Sequence, residues 1–418
     1  MNKFNTLSDF LNYLYALPRL HKKSDLSYIK QVLAEMDNPQ DKVKTVHVTG
    51  TNGKGSTCYY ISNLLEKAGQ KTGLFVSPYI REFNERIQLN SQNISIEDLL
   101  VGANYIYQIL QKLKIELVTF EYEVALAFWY FAKKRCNYAV IEVGIGARHD
   151  KTNVIIPEVS VITTVGLDHE KIIGPTLQDI AFEKAGIIKD KRPVVLGNVP
   201  ESILPIIQKE AQVKSAPMYQ LNKDFSVMSA ENKLLVHTKM GIYQFESRPL
   251  VEGFDIAIAC QVLSLLNLSI LPTEIEKIIN LTKIPGRYQI IKTKPTIILD
   301  GAHNMQAMNN LIDFVNAEKN KGQIYVLITM MKDKDLSEVF TLFNHNEKIT
   351  LTTIDYPRAA KKADFPAEVL EKYKYRKNAI QAYIDLKKNL KENDTLVVTG
   401  SFYLVSQILN FQEKIDAS

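Results

Sequence analysis

Residues 46–57 read VHVTGTNGKGST: a β-branched apolar run, a turn holding Gly50, Gly53 and Gly55, then hydroxyl side chains at the head of a helical pattern. A strand, turn and helix of this composition can wrap successive backbone N–H groups around an anion, with the positive helix end behind them. Lys54 adds a mobile full charge suited to the β and γ phosphates of a nucleotide. Ser56 or Thr57 offers a hydroxyl to Mg2+. Asn52, Gly53, Lys54, Gly55, Ser56 and Thr57 are therefore the candidate phosphate-binding residues. The loop is shorter than the GxxxxGK[ST] pattern, and Gly55 follows Lys54 where that pattern has Ser or Thr. His47 sits mid-strand, where a bonded interior histidine is the simpler reading than a ligand.

Glu142 ends an apolar run and His169 follows another, in the stretch GLDH at 166–169. Ligands bind at the carboxyl ends of parallel strands, so a carboxylate, an imidazole and a hydroxyl such as Ser77 could converge there beside the loop. Lys184 is placed oddly. With 176–188 taken as a helix, Leu177, Ile180, Ala181, Ile187 and Ile188 form one apolar stripe and Lys184 falls in its middle. Two readings are open: a snorkelling side chain whose ammonium reaches water, or a desolvated amine of lowered pKa that can react.

The elements that must hold these residues alternate. Residues 43–49, 138–143 and 159–165 read as buried parallel strands, and 57–68 and 122–133 as helices, a rhythm that predicts a doubly wound α/β sheet. It restarts near 296, with strands at 296–299, 324–330 and 396–399 and a helix at 305–317. Residues 283–294, with Pro285, Gly286 and Pro295 around them, read as a linker, so the predicted domains are 1–290 and 291–418. Residues 219–246 read as short strands, a β-rich excursion on the first domain.

At 418 residues the chain is long enough for two cores. Its 46% apolar and 23% charged residues give the balance of a globular protein. No run of about 18 apolar residues predicts a membrane span, and the N-terminus lacks the pattern of a secretory signal. The three cysteines, Cys58, Cys136 and Cys260, have no metal-ligand spacing, and a reducing cytoplasm is the expectation. The net charge of +5 is dispersed, which argues against a nucleic-acid partner. A monomer acting on small molecules is expected.

The loop GTNGKGST resembles that of the folylpolyglutamate synthase/dihydrofolate synthase family, relatives of the Mur peptide ligases. Family-like motifs follow in order over most of the chain: SPYI at 77–80, NERI at 84–87, TFE at 119–121, EVGIGARHDKTNV at 142–154, GLDHEKIIGPTLQDIAFEKAGIIK at 166–189, GRYQ at 286–289 and DGAHN at 300–304. The resemblance implies a P-loop, mostly parallel sheet domain followed by a smaller Rossmann-like α/β domain. It also implies ATP and Mg2+ as cofactors, with glutamate joined to a folate or pteroate through an acyl phosphate. By resemblance, Ser77, Glu142 and His169 hold magnesium, and Lys184 is carbamylated and becomes a further metal ligand. Lys54, His169 and Lys184 would then carry the catalytic roles. Arg287 and Asp300 would contact ATP lying between the domains, and Arg86, His303 and Ser401 would receive the incoming glutamate.

The chain departs from the family after Gly253. Asp255, Ile256 and Ala259 stand where the family usually carries His, Gln and a nucleotide-contacting Asn. The Gly-Gly before the family's Arg is Gly146-Ala147 here, ahead of Arg148. Three rivals share part of the pattern: a Mur-type ligase of a cell-wall precursor, a P-loop kinase, and a non-catalytic nucleotide- or folate-binding relative.

Overall fold

The computed structural model describes residues 3–18, 25–230, 233–317, 322–332, 334, 336–343 and 347–416. The chain forms two compact units, Met1–Tyr79 with Phe83–Thr282, and Ile80–Glu82 with Lys283–Ser418.

Among the described residues, the first unit is built on an eight-stranded sheet. Its strands are β1 (Lys44–Thr49), β2 (Thr72–Phe75), β3 (Ile87–Leu89), β4 (Gln92–Asn93), β5 (Tyr138–Glu142), β6 (Val159–Thr164), β7 (Val194–Asn198) and β8 (Met218–Gln220). They are ordered β4-β3-β2-β5-β1-β6-β7-β8. The run from β2 to β8 is parallel, and β3 and β4 pair antiparallel at one edge. β2 and β5 are buried along their whole length, and β5 accordingly reads as an apolar run without alternation up to Glu142. β1 lies between β5 and β6, and crossovers leave to both sides of it. Its carboxyl end therefore faces the kind of crevice in which open α/β sheets bind ligands.

Helices cover both faces. Phe75, Ala139 and Ile141 pack with Tyr122, Leu126 and Phe131 of the helix Thr119–Lys133. Ile162, Val194 and Leu196 pack with Ile180 and Ala181 of the helix Leu177–Ala185. The helix Lys54–Lys67 packs on β1, β2 and β5, beside the helix Leu250–Leu265, which lies on β6 and β7. The expected β-rich excursion is an antiparallel meander of β9 (Ser226–Ala230), β10 (Lys233–Thr238) and β11 (Gly241–Glu246). Its first expected residues, around Tyr219, belong instead to β8 of the main sheet, where a parallel partner satisfies their backbone.

Among the described residues, the second unit carries a six-stranded sheet: β12 (Gln289–Thr293), β13 (Thr296–Leu299), β14 (Ile324–Ile328), β15 (Glu347–Thr352), β16 (Lys374–Arg376) and β17 (Thr395–Thr399). The order is β12-β13-β17-β14-β15-β16, parallel except for β12. Two apolar clusters cover it, one around Ile298, Val326 and Met308 and the other around Leu299, Leu327 and Leu404. The break between the units falls between Thr282 and Lys283, ahead of the expected position near 290. The residues read as linker include β12, which zips onto β13 from Gln289↔Leu299 to Thr293↔Thr296. Among the described residues, no helix is long and apolar enough to cross a membrane.

Candidate active site

The glycine loop is pinned to the end of β6. Thr51 N–H donates to Thr164 O (3.0 Å) and Asn52 N–H to Thr164 Oγ1 (2.9 Å), while Thr163 Oγ1 donates to Asn52 O (2.6 Å). Thr51 Oγ1 both donates to Gly166 O and accepts from Gly166 N–H, each at 3.0 Å, tying the loop to the stretch that carries His169. The helix starts at Lys54, three residues earlier than its apolar pattern suggests, because Gly53 turns left-handed (φ +83°) and serves as its N-cap. At Gly50 the constraint is space: a Cβ would lie 1.8 Å from Thr163 Oγ1. We expect Gly50→Ala to lower the stability of the first unit by about 1–3 kcal/mol through forced displacement of the loop. Thermal melting checks this, and an unshifted transition would contradict it.

Lys54 Nζ arches back over the loop, donating to Gly50 O (3.0 Å) and Thr51 O (3.4 Å). It therefore covers the concavity of the turn, where a phosphate would take the place of the carbonyls. Of the two hydroxyls considered for Mg2+, that of Thr57 donates to Asp255 Oδ1 (3.1 Å). Ser56, largely buried at the first helical turn, is the better candidate.

Glu142 ends β5 beside the loop: both its carboxylate oxygens lie 3.7 Å from where a Gly55 Cβ would stand. Its Oε2 accepts from Ser77 N–H at 2.7 Å, so Ser77 and Glu142 are brought together. His169 adopts a left-handed conformation (φ 54°), with its N–H on Asp168 Oδ1 at 2.8 Å. Among the described residues, no group of three or more His, Cys, Asp and Glu side chains is gathered for a metal. The expected donor set contains only two of those types, and its other members are a hydroxyl and a modified lysine. A buried carboxylate against the glycine loop, holding the backbone N–H of a serine, is chemistry that fits a hard cation.

Lys184 is 3% exposed, among Ile180, Ala181, Ile187 and Ile188. Snorkelling is excluded by that burial. Desolvation, with the nearby charge of Lys54 in second place, brings its amine down to about 7, against the opposing pull of Asp168, Asp150 and Glu183. The helix ends at Ala185, short of Ile188, because Ile187 and Ile188 N–H turn back to the carbonyls of Lys184 and Ala185 (3.1 and 3.0 Å). His47 is fully buried with Nε2 2.8 Å from Thr152 Oγ1, an interior residue as expected, and burial holds its pKa at about 3.

In the second unit, Asp300 accepts from Tyr288 N–H and Ala302 N–H, both at 2.8 Å, and so organises its own turn. Asn304 caps the helix Met305–Ala317 through Ala307 N–H (2.9 Å). Arg287, His303 and Ser401 gather around Phe402. The Arg287 guanidinium lies 4.4 Å over its ring, the His303 ring is edge-on at 6.0 Å, and Ser401 precedes it in the chain. His303 Nδ1 is 2.8 Å from Gly301 O, so in the neutral tautomer that nitrogen carries the proton. Arg86 belongs to the first unit, where its Nε is 3.4 Å from Glu123 Oε1 and its guanidinium lies over Tyr79. Sequence reasoning missed Glu123 and Phe402. TFEYE at 119–123 and GSFY at 400–403 held the signal.

Comparison with known proteins supplies the frame for this geometry. Residues 48–249 match the Mur ligase middle domain, and residues 286–402 match the Mur ligase glutamate ligase domain. A folylpolyglutamate synthase of Lacticaseibacillus casei is 32% identical over 95% of this chain and 96% of its own length. The structure of E. coli FolC in complex with DHPP and ADP superposes with a TM-score of 0.91 at 27% identity, covering 100% of both chains. A bifunctional folylpolyglutamate synthase/dihydrofolate synthase from Yersinia pestis, complexed with AMPPNP and a Mn ion, gives 0.90 at 26% identity and 99% coverage of each. The fold, the ordered motifs and end-to-end similarity at this level agree: the chain belongs to the folylpolyglutamate synthase/dihydrofolate synthase family of the Mur ligase superfamily.

Proposed function

We infer that this protein is an ATP-dependent ligase that joins L-glutamate to a folate or pteroate carboxylate. One observation carries the reading: a glycine loop with Lys54 over its concavity, flanked by buried Glu142, with the buried Lys184 amine lowered to about 7 nearby. A carboxylate cannot acylate an amine at neutral pH until its oxygen becomes a good leaving group. Its attack on the γ phosphate of ATP forms a P–O bond and releases ADP, giving an acyl phosphate. The neutral amine of glutamate then attacks the acyl carbon, loses a proton and expels phosphate. Both stages gather negative charge.

Lys54 and the loop N–H groups answer that charge, and positioning of the two substrates supplies much of the remainder. Mg2+, held through Ser77, Glu142, His169 and a carbamylated Lys184, would supply neutralisation of the phosphoryl oxygens. Arg287 and Asp300 are assigned to the nucleotide, and Arg86, His303 and Ser401 to glutamate. The pairing of Arg86 with Glu123 means that Arg86 reaches an anionic substrate only while sharing its charge with that carboxylate.

The cell-wall-precursor alternative is not favoured, because relatives named for folate ligation align along nearly the whole chain. A cytoplasmic monomer without nucleic-acid or membrane partners fits the three free, buried cysteines and the dispersed charge. Glutamate-dependent ADP release decides the reading, assayed with dihydropteroate, tetrahydrofolate and a cell-wall precursor in parallel. Turnover is expected with one or both pteridine substrates. ADP release only with the cell-wall precursor, or none at all, would overturn the inference.

A further inference from the structure

The phosphate loop is flanked by a second buried carboxylate besides Glu142. Asp255 rises from the helix Leu250–Leu265, is 7% exposed, and accepts from Thr57 Oγ1 at 3.1 Å. Its carboxylate lies flat against Gly53: a Cβ there would stand 2.3 Å from Oδ1, 3.1 Å from Cγ and 3.2 Å from Oδ2. Only a glycine admits this approach. The carboxylate therefore sits at the first turn of the helix Lys54–Lys67, where the positive helix end would otherwise serve a bound phosphate alone. Cys58, in the same turn, feels all the charges concerned. Burial pushes its thiol well up, and Glu142 and Asp255 add to this against Lys54.

Asp255 and Glu142 thus bring two carboxylates against the glycine loop over which Lys54 lies. Each carboxylate repels a bare polyphosphate entering the loop, and a divalent cation on the phosphates offsets that repulsion. We propose that Asp255 is a specificity-determining residue, which makes the phosphate loop select metal-complexed nucleotide over the free nucleotide. The proposal rests on the ligase reading in that the loop must bind nucleotide. Its second job is mechanical: by holding the Thr57 hydroxyl, Asp255 leaves Ser56 as the loop's hydroxyl for the cation.

The test is ADP affinity by calorimetry for the wild-type protein, Asp255→Asn and Asp255→Ala, each with Mg2+ and with EDTA. Asparagine keeps an acceptor for Thr57 and removes the charge; alanine removes both. In EDTA both variants are expected to bind ADP about tenfold tighter than wild type, and with Mg2+ within about threefold of it. The wild-type protein should itself bind ADP at least about tenfold tighter with Mg2+ than in EDTA. Equal wild-type affinities in the two conditions would overturn the proposal even if neither variant folded. Variants no tighter than wild type in EDTA would overturn it too. Weakening confined to the Mg2+ condition would make Asp255 a metal ligand and equally end the idea. Absence of ADP binding by the wild-type protein in both conditions would instead remove the ligase reading beneath it.

Discussion

Lys54→Ala is expected to lower turnover at saturating ATP by about 100-fold or more, the scale on which removal of one preorganised donor to developing charge is felt. That is about 2.7 kcal/mol of transition-state stabilisation. The free protein shows why the effect falls on turnover and little on folding. Lys54 Nζ bonds to the carbonyls of Gly50 and Thr51 within its own turn, and the loop is fixed independently by Thr163, Thr164 and Gly166. Truncation therefore leaves the cradle standing and takes away its mobile charge. The charge matters more when the phosphoryl group is in flight than when ATP is at rest, so kcat should fall further than KM rises. Melting of the variant should match wild type. Near-normal turnover by a well-folded Lys54→Ala protein would show that the loop is not the phosphate site.

Where the site could be read from the sequence, the signal was local. The loop, the strand-end position of Glu142 and the stripe around Lys184 each lie within a short stretch of chain, and their periodicity or turn chemistry survives in one dimension. What was missed depends on pairs far apart in the chain. Asp255 meets Gly53 and Thr57 across 198 residues of separation from the latter, and nothing in either segment announces the other. Glu123 was hidden because it sits in a helix, Thr119–Lys133, that is buried almost all round and so has no polar face to stand out from. The break between the units was placed late for a related reason. Pro285 and Gly286 resemble a linker, yet the pairing of Gln289–Thr293 with β13 is made by backbone groups, which the side-chain pattern does not display. Likewise the early start of the helix at Lys54 follows from the left-handed Gly53, whereas the apolar pattern begins only after the loop.

Lys184→Ala should lower turnover by about 100-fold or more while costing little stability, and small carboxylates such as acetate should restore part of the activity. An ammonium at 3% exposure among Ile180, Ala181, Ile187 and Ile188 is costly in itself, and beside a magnesium ion it would add charge of the wrong sign. The amine, brought to about 7 chiefly by burial, is largely neutral at slightly alkaline pH and can add CO2, forming an N–C bond and releasing one proton. The resulting carbamate is an anion suited to a cation beside Glu142. The signs follow from this. At fixed dissolved CO2 the carbamylated fraction should rise as pH passes upward through about 7, and activity with it. In protein stripped of CO2, stability should rise with pH above about 7 toward the unfolded-state value of 10.5, because the unfolded chain then binds the proton that the native amine has released. Labelling with 13C-bicarbonate gives a readout independent of turnover: a carbamate carbonyl resonance in the wild-type protein, absent from Lys184→Ala. A wild-type spectrum without that resonance, or full activity in the alanine variant, would leave Lys184 a buried structural lysine.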